Sequence, residues 1–234
     1  MSNSSLVNYT KISPNKSVRK GKISKITIHH MAGNLTVESC GNVFAPASRK
    51  ASSNYGVGTD GRVGLYVPEN YRSWASSSPE NDHIAVTIEV ANDGGANWHV
   101  SDKALQKTIE LCADICKRNG IKKLNFTGDK TGNLTMHRYF AATNCPGPYL
   151  ESKFPYIADE VNKILSGKKE QVKEEPKKEP IPELTTANDI VWELGERGLV
   201  LDTPGMLKEM NENPDGRLYW LARKMLNYIR QKGI

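Results

Sequence analysis

Ile23-Ser24-Lys25-Ile26-Thr27-Ile28-His29-His30 is the stretch on which the reading of this chain turns. Its aliphatic residues recur at the period of a buried strand, and the run ends in two adjacent imidazoles. Successive strand side chains point to opposite faces, so only one of His29 and His30 can reach a shared ligand. Spacing alone does not choose between them. Beyond this strand, Asn54 to Tyr66 reads as a hairpin, with Tyr55 and Val57 before a Thr59-Asp60-Gly61 turn and Val63 and Leu65 after it. Ile84 to Val90 is a third apolar strand, carrying Glu89 among aliphatic neighbours.

Helical patterns alternate with these strands. Ser101 is placed to cap a helix whose stripe is Leu105, Ile109, Cys112 and Cys116, closed by Gly120. A second helix is expected from about Leu150 to Leu165, with Phe154, Ile157, Val161 and Leu165 on one side. Strands interleaved with helices predict an α/β fold, a mixed central sheet flanked by helices.

The boundary of that domain is set by composition. Residues 167–183 carry three prolines and ten charges and have almost nothing to bury, so they read as an extended, solvated linker. They divide a first domain, 1–166, from a segment, 184–234, that reads as a small all-α domain of three short helices. Residues 168–183 hold five Lys and five Glu, and 184–234 hold seven basic and seven acidic residues. The whole net charge of +6 therefore lies in the first part, with 20 basic against 14 acidic groups. That excess serves solubility or approach to an anionic surface such as a wall polymer. No helix-turn-helix or zinc-finger spacing accompanies it, so nucleic acid is not the expected partner. No apolar run is long enough to span a bilayer, and Met1-Ser2-Asn3-Ser4-Ser5 lacks the apolar core of a secretory signal. The expectation is a protein without membrane insertion, found in the cytosol of the producing cell.

Four cysteines are too few for a disulfide scaffold at 234 residues, and Cys40, Cys112 and Cys116 read as buried apolar fillers. Cys145 differs, because it follows His137 by eight positions and precedes Pro146-Gly147-Pro148, which stiffens its backbone. The strand-end histidines, His137 and Cys145 are the donor types zinc prefers, and three donors leave the open position of a catalytic site. A closed structural site needs a fourth donor, which His30, His83 or His99 can supply. The polar settings of His83 and His99 read instead as exposed or substrate-side.

These motifs also resemble a family. Ile26-Thr27-Ile28-His29-His30-Met31-Ala32-Gly33, the Asp60-Gly61 hairpin leading to Val67-Pro68-Glu69, Ile88-Glu89, and His137 followed by Thr143-Asn144-Cys145-Pro146-Gly147 are similar to the type 2 N-acetylmuramoyl-L-alanine amidases of the peptidoglycan-recognition superfamily, which includes many phage endolysins. The resemblance spans roughly residues 20–165. It implies one zinc ion held by His29, His137 and Cys145, with His30 a neighbour that packs, hydrogen-bonds or meets substrate. It also implies hydrolysis of the amide between N-acetylmuramic acid and L-alanine in bacterial peptidoglycan, after release of the protein to the wall.

Such hydrolysis needs a proton carrier, and Glu89 is the candidate. The competing reading is an edge-strand Glu facing solvent, and some relatives use a Tyr elsewhere. Thr143 is placed to hydrogen-bond a developing oxyanion or to shape its own turn. Ser52-Ser53-Asn54-Tyr55 departs from the Ser-x-His-Tyr of relatives, which leaves a substrate contact by Asn54 open. Trp74 and Trp98 stack on sugar rings or pack beneath loops. The 184–234 segment resembles helical modules of other wall lysins, which makes Trp192, Tyr219, Trp220 and Tyr228 its candidate wall-binding aromatics. The alternative to an enzyme is a non-catalytic peptidoglycan-recognition protein. Relatives of that kind lose a zinc ligand, whereas all three positions are filled here.

Overall fold

The computed structural model describes residues 2–167, together with Lys208 and Glu212. Its elements in chain order are β1 (Val7–Thr10), β2 (Lys16–Val18), β3 (Lys25–His30), α1 (Val37–Phe44), a 3-10 turn (Ala47–Arg49), β4 (Tyr55–Val57), β5 (Val63–Leu65), β6 (Tyr71–Ser73), α2 (Pro79–Ile84), β7 (Ala85–Val90), α3 (Asp102–Asn119), β8 (Leu134–Met136), a second 3-10 turn (His137–Tyr139), α4 (Pro148–Ser152) and α5 (Phe154–Leu165).

Six strands form one sheet in the order β1-β5-β4-β7-β3-β8, and β2 pairs with β6 in a separate ribbon. β3, β4, β7 and β8 are mutually parallel where they pair, whereas β5 runs antiparallel to β4 and parallel to β1. This is the mixed sheet expected from the sequence. The β4–β5 hairpin turns where expected, with the Gly61 N–H donating to the Gly58 carbonyl at 2.9 Å. Gly61 sits there at φ +83°, a conformation that a Cβ would strain.

The two faces of the sheet differ in chemistry, and the strand period explains why. Ile26 and Ile28 of β3, Val86 and Ile88 of β7, and Leu134 and Met136 of β8 join the main core with Ile109, Cys112 and Cys116 of α3 and Phe154, Ile157 and Val161 of α5. The alternate residues are threonines. Thr27, Thr87 and Thr135 are fully buried, yet each hydroxyl is satisfied: Thr27 pairs with Thr135 at 2.9 Å and Thr87 with Ser73 at 2.7 Å. A buried hydroxyl without a partner costs roughly 1–3 kcal/mol, so this ladder is kept fully paired. It also leads the chain to a polar end, because the next residues on the same face are His29, Glu89 and His137.

α3 begins and ends as its sequence predicts. Ser101 Oγ accepts from the Ala104 N–H at 3.1 Å, and Gly120 closes the helix at φ +72°. Cys40, Cys112 and Cys116 are free, buried thiols, as expected of apolar fillers. The single helix expected over Leu150–Leu165 is instead two, α4 and α5, joined at Lys153 with φ −90° and ψ −7°. Pro155 has no N–H for the Glu151 carbonyl and its ring crowds that oxygen, so one helix cannot run through. No helix of the described residues is long and apolar enough to cross a membrane.

Residues 168–183 and the aromatics Trp192, Tyr219, Trp220 and Tyr228 lie outside the described residues. Of the expected C-terminal helices only Lys208 and Glu212 are described, both helical, with Nζ and Oε1 4.0 Å apart.

Candidate metal centre

Three chain segments bring their donors together at one end of the sheet. His29 comes from the end of β3 and His137 from the first residue after β8, while Cys145 comes from the loop before α4. One donor atom from each lies within 4.8 Å of the other two. The His29 and His137 rings are 4.5 Å apart between centroids. His29 and Cys145 are almost completely buried, at 2% and 5% exposure.

Nε2 of His29 and Nε2 of His137 are buried and have no hydrogen-bond partner. Nearly all buried polar atoms in a folded protein are paired, so two orphaned nitrogens side by side require an explanation. Burial, then the charge of His137 and that of His30, holds the His29 pKa well below the usual imidazole value. Burial lowers His137 as well, against the opposing charge of Asp82. Both rings are therefore neutral at neutral pH, with lone pairs free to bind a cation. Two imidazole nitrogens and a sulfur form the donor set that suits zinc, with one coordination position left over. The residues present fit that metal.

One hydrogen bond holds the sulfur and a second holds its backbone. The His30 backbone N–H donates to Cys145 Sγ at 3.4 Å, and the Cys145 N–H donates to Thr143 Oγ1 at 3.2 Å. Because Thr143 Oγ1 accepts that bond, its own proton remains to be donated elsewhere. The His30 ring turns away from the donor cluster, as strand alternation requires. Its Nδ1 lies 2.9 Å from the Ala32 N–H and 3.1 Å from Asn92 Nδ2, and the ring stacks on Trp98 at 4.4 Å.

The donors open on a cavity of about 280 Å³ whose lining includes Glu89, Thr143, Arg49 and Trp74, with Leu35 and Phe44 on its apolar side. Glu89 is paired in register with His29 across parallel strands. β7 lies between β4 and β3, so Glu89 is not on an edge strand; its side chain is half-buried and lines the cavity. Burial pushes its carboxyl up to about 8, and Arg49 pulls in the other direction.

Two expectations are corrected. Asn54 has no exposed surface: its Nδ2 donates to the Val67 carbonyl at 2.9 Å, and its Oδ1 accepts from the Thr87 N–H at 3.1 Å. It ties the hairpin to β7 from within and cannot meet substrate. Trp98 does not line the cavity but backs His30, whereas Trp74 does line it, with Nε1 donating to Ser17 Oγ at 3.3 Å. His99 is exposed and His83 half-buried, and neither joins the donor cluster. Sequence reasoning passed over Arg49, because a single basic residue in a loop carries no pattern.

Residues 19–148 match the family model described as N-acetylmuramoyl-L-alanine amidase, a stretch that contains all three donors, Glu89 and Thr143. The chain belongs to this amidase family. No curated protein matches it. Among solved structures, the amidase fold is similar to that of PlyL, at 15% identity and a TM-score of 0.53, over 66% of this chain and 96% of that one. A mutant endolysin from Bacillus subtilis matches at 17% identity and 0.52, over 66% and 99%. AmpD, as its selenomethionine derivative, matches at 16% and 0.51, over 66% and 96%. At these identities the likeness is one of fold. What makes this site fit for a metal is its own pair of orphaned imidazole nitrogens.

Proposed function

We propose that this chain is a zinc-dependent N-acetylmuramoyl-L-alanine amidase of the endolysin kind. It hydrolyses the amide between N-acetylmuramic acid and L-alanine and so opens the bacterial wall after release from the producing cell. The observation that carries this reading is the pair of buried, unpartnered Nε2 atoms on His29 and His137 beside the Cys145 thiol.

His29, His137 and Cys145 would hold the ion, and a zinc bound there supplies Lewis acidity to polarise the scissile carbonyl and activate water. Glu89 takes the proton of the attacking water and returns it to the departing alanine nitrogen. Burial raises its carboxyl above the usual carboxylate range, the direction that lets it hold and return a proton near neutral pH. The Thr143 hydroxyl donates toward the carbonyl oxygen as negative charge gathers there. Trp74 offers an aromatic face to a sugar ring at the cavity wall. His30 keeps the sulfur oriented through its backbone N–H. In this reading residues 184–234 are a tethered second wall contact, raising the local concentration of enzyme on an insoluble polymer, with Trp192, Tyr219, Trp220 and Tyr228 as the contact candidates and anionic wall polymers as additional partners.

The test is metal analysis of the purified chain, paired with mass spectrometry of digested walls. One zinc per chain and new alanine amino termini are expected. Undiminished release by protein stripped in excess chelator refutes the zinc mechanism. Binding to walls with no new amino termini would make the protein a recognition module instead.

A further inference from the structure

Six arginines fall within the described residues, and five have guanidinium partners. Arg19 donates to three backbone carbonyls, Arg62 pairs with Glu38, Arg72 bonds Ser17, Arg118 pairs with Glu69 and Asp114, and Arg138 pairs with Glu151. Of these six described arginines, Arg49 alone makes no side-chain hydrogen bond or ion pair. It is also the only Lys or Arg on the cavity that holds the donor cluster. Its position is fixed by the backbone: the 3-10 turn Ala47–Arg49 is tied by the Arg49 N–H to the Pro46 carbonyl at 3.0 Å, and Lys50 then reverses the chain at φ +54°. An unpaired guanidinium at the rim of a binding cavity is a site for a planar anion, and a carboxylate fits its fork in a two-pronged pair.

The size of the cavity limits where that carboxylate can be. Arg49 and the donor cluster line one cavity of about 280 Å³, room for only a few residues of an extended stem at ~3.5 Å each. The group read by Arg49 therefore lies close along the stem to the bond cut beside His29 and His137. The sugar side offers no anion, because the lactyl carboxyl of muramic acid is the acyl half of the scissile amide. Alanine's own carboxyl is joined to the next residue. The first carboxylate within reach is on the second residue of the stem.

We propose that Arg49 is a specificity-determining residue that recognises the free carboxylate of the second stem residue and discriminates against its carboxamide. This rests on the amidase reading above and adds to it a preference for walls whose stems are unamidated at that residue.

The experiment compares two soluble substrates with the zinc-loaded full chain, both blocked at the γ-carboxyl as a methylamide: N-acetylmuramoyl-L-alanyl-D-glutamate γ-methylamide, with a free α-carboxylate, and N-acetylmuramoyl-L-alanyl-D-isoglutamine γ-methylamide, with an α-carboxamide in its place. Release of the alanine amino terminus is followed for wild type, Arg49→Gln and Arg49→Lys. A charge-assisted pair predicts that wild type favours the carboxylate by about tenfold in kcat/KM, mainly through KM. Arg49→Gln should bring that ratio near one, and Arg49→Lys should retain part of it. Arg49 is exposed, so its replacement leaves the fold intact. A ratio unchanged in Arg49→Gln overturns the inference. So does an equal fall in kcat on both compounds, which would mean that Arg49 serves only to adjust Glu89. Cleavage of neither compound, and no new amino termini from purified walls, overturns the amidase reading itself.

Discussion

His29 and Glu89 are register partners on adjacent parallel strands, β3 and β7, so a candidate metal donor and a candidate proton carrier leave the same face of the sheet side by side. The backbone pairing fixes their spacing, with no mobile loop between them. If Glu89 moves the proton, Glu89→Gln should keep its zinc and its fold but lose about 10²–10⁴-fold in release of alanine amino termini from walls. Activity within threefold of wild type would remove Glu89 from that role.

Glu89 also gives the metal-free protein a pH dependence. Its carboxyl ionises near 4.3 in an unfolded chain but only near 8 in the fold. The contribution to stability is therefore complete below the unfolded pKa and is lost as pH rises through the folded one. Urea unfolding of chelator-treated protein should show wild type losing about 3 kcal/mol relative to Glu89→Gln between pH 5 and pH 8. Parallel stability curves for the two proteins would contradict the buried carboxyl.

His29→Ala, His137→Ala and Cys145→Ala should each lower bound zinc from about one per chain to a tenth or less, since two remaining donors hold the ion weakly. Elemental analysis after dialysis reads this directly, with circular dichroism checking the fold. Retention of a full equivalent by any one variant removes that residue from the donor set.

A buried ion pair lies away from this site. Glu69 accepts from Arg118 Nη2 at 2.6 Å and from Tyr55 Oη at 2.7 Å, and its side chain is 1% exposed. Arg118→Met leaves that carboxylate buried without its guanidinium partner and should cost about 3–5 kcal/mol in urea unfolding. A loss under 1 kcal/mol would show that water reaches Glu69.

Gly147 has φ +90°, and a Cβ built on it would collide with the Trp98 ring that backs His30. Gly147→Ala should destabilise the protein by about 1–3 kcal/mol and disturb the Cys145 loop, seen as weaker zinc retention in a chelator competition. Wild-type retention together with wild-type stability would contradict the close packing.

The parts of the fold that could be read in the sequence were those with both period and punctuation. β3, β7 and the β4–β5 hairpin alternate clearly, and α3 has Ser101 and Gly120 at its ends. β1, β2, β6 and β8 are only three or four residues long, too short for a period to register. α1 and α2 are short as well, and the break at Lys153 was hidden because Leu150, Phe154 and Ile157 keep a helical spacing across it. At the site, donor types and the family's motif order brought out His29, His137 and Cys145. Asn54 stands where relatives often carry a His, which left a substrate contact open, whereas here it satisfies buried backbone groups of distant strands. The bond from the His30 amide to Cys145 sulfur joins residues 115 positions apart and leaves no local trace.

β8 joins the sheet only by pairing alongside β3, after almost the whole domain has been made. A ribosome that has reached only Leu134 has produced one of the three candidate donors, His29, and the Glu89 carboxylate, but neither His137 nor Cys145. The order of translation thus acts as a safety catch: no partial product can assemble the candidate centre, whose donors are complete only once the loop after the last strand has been made.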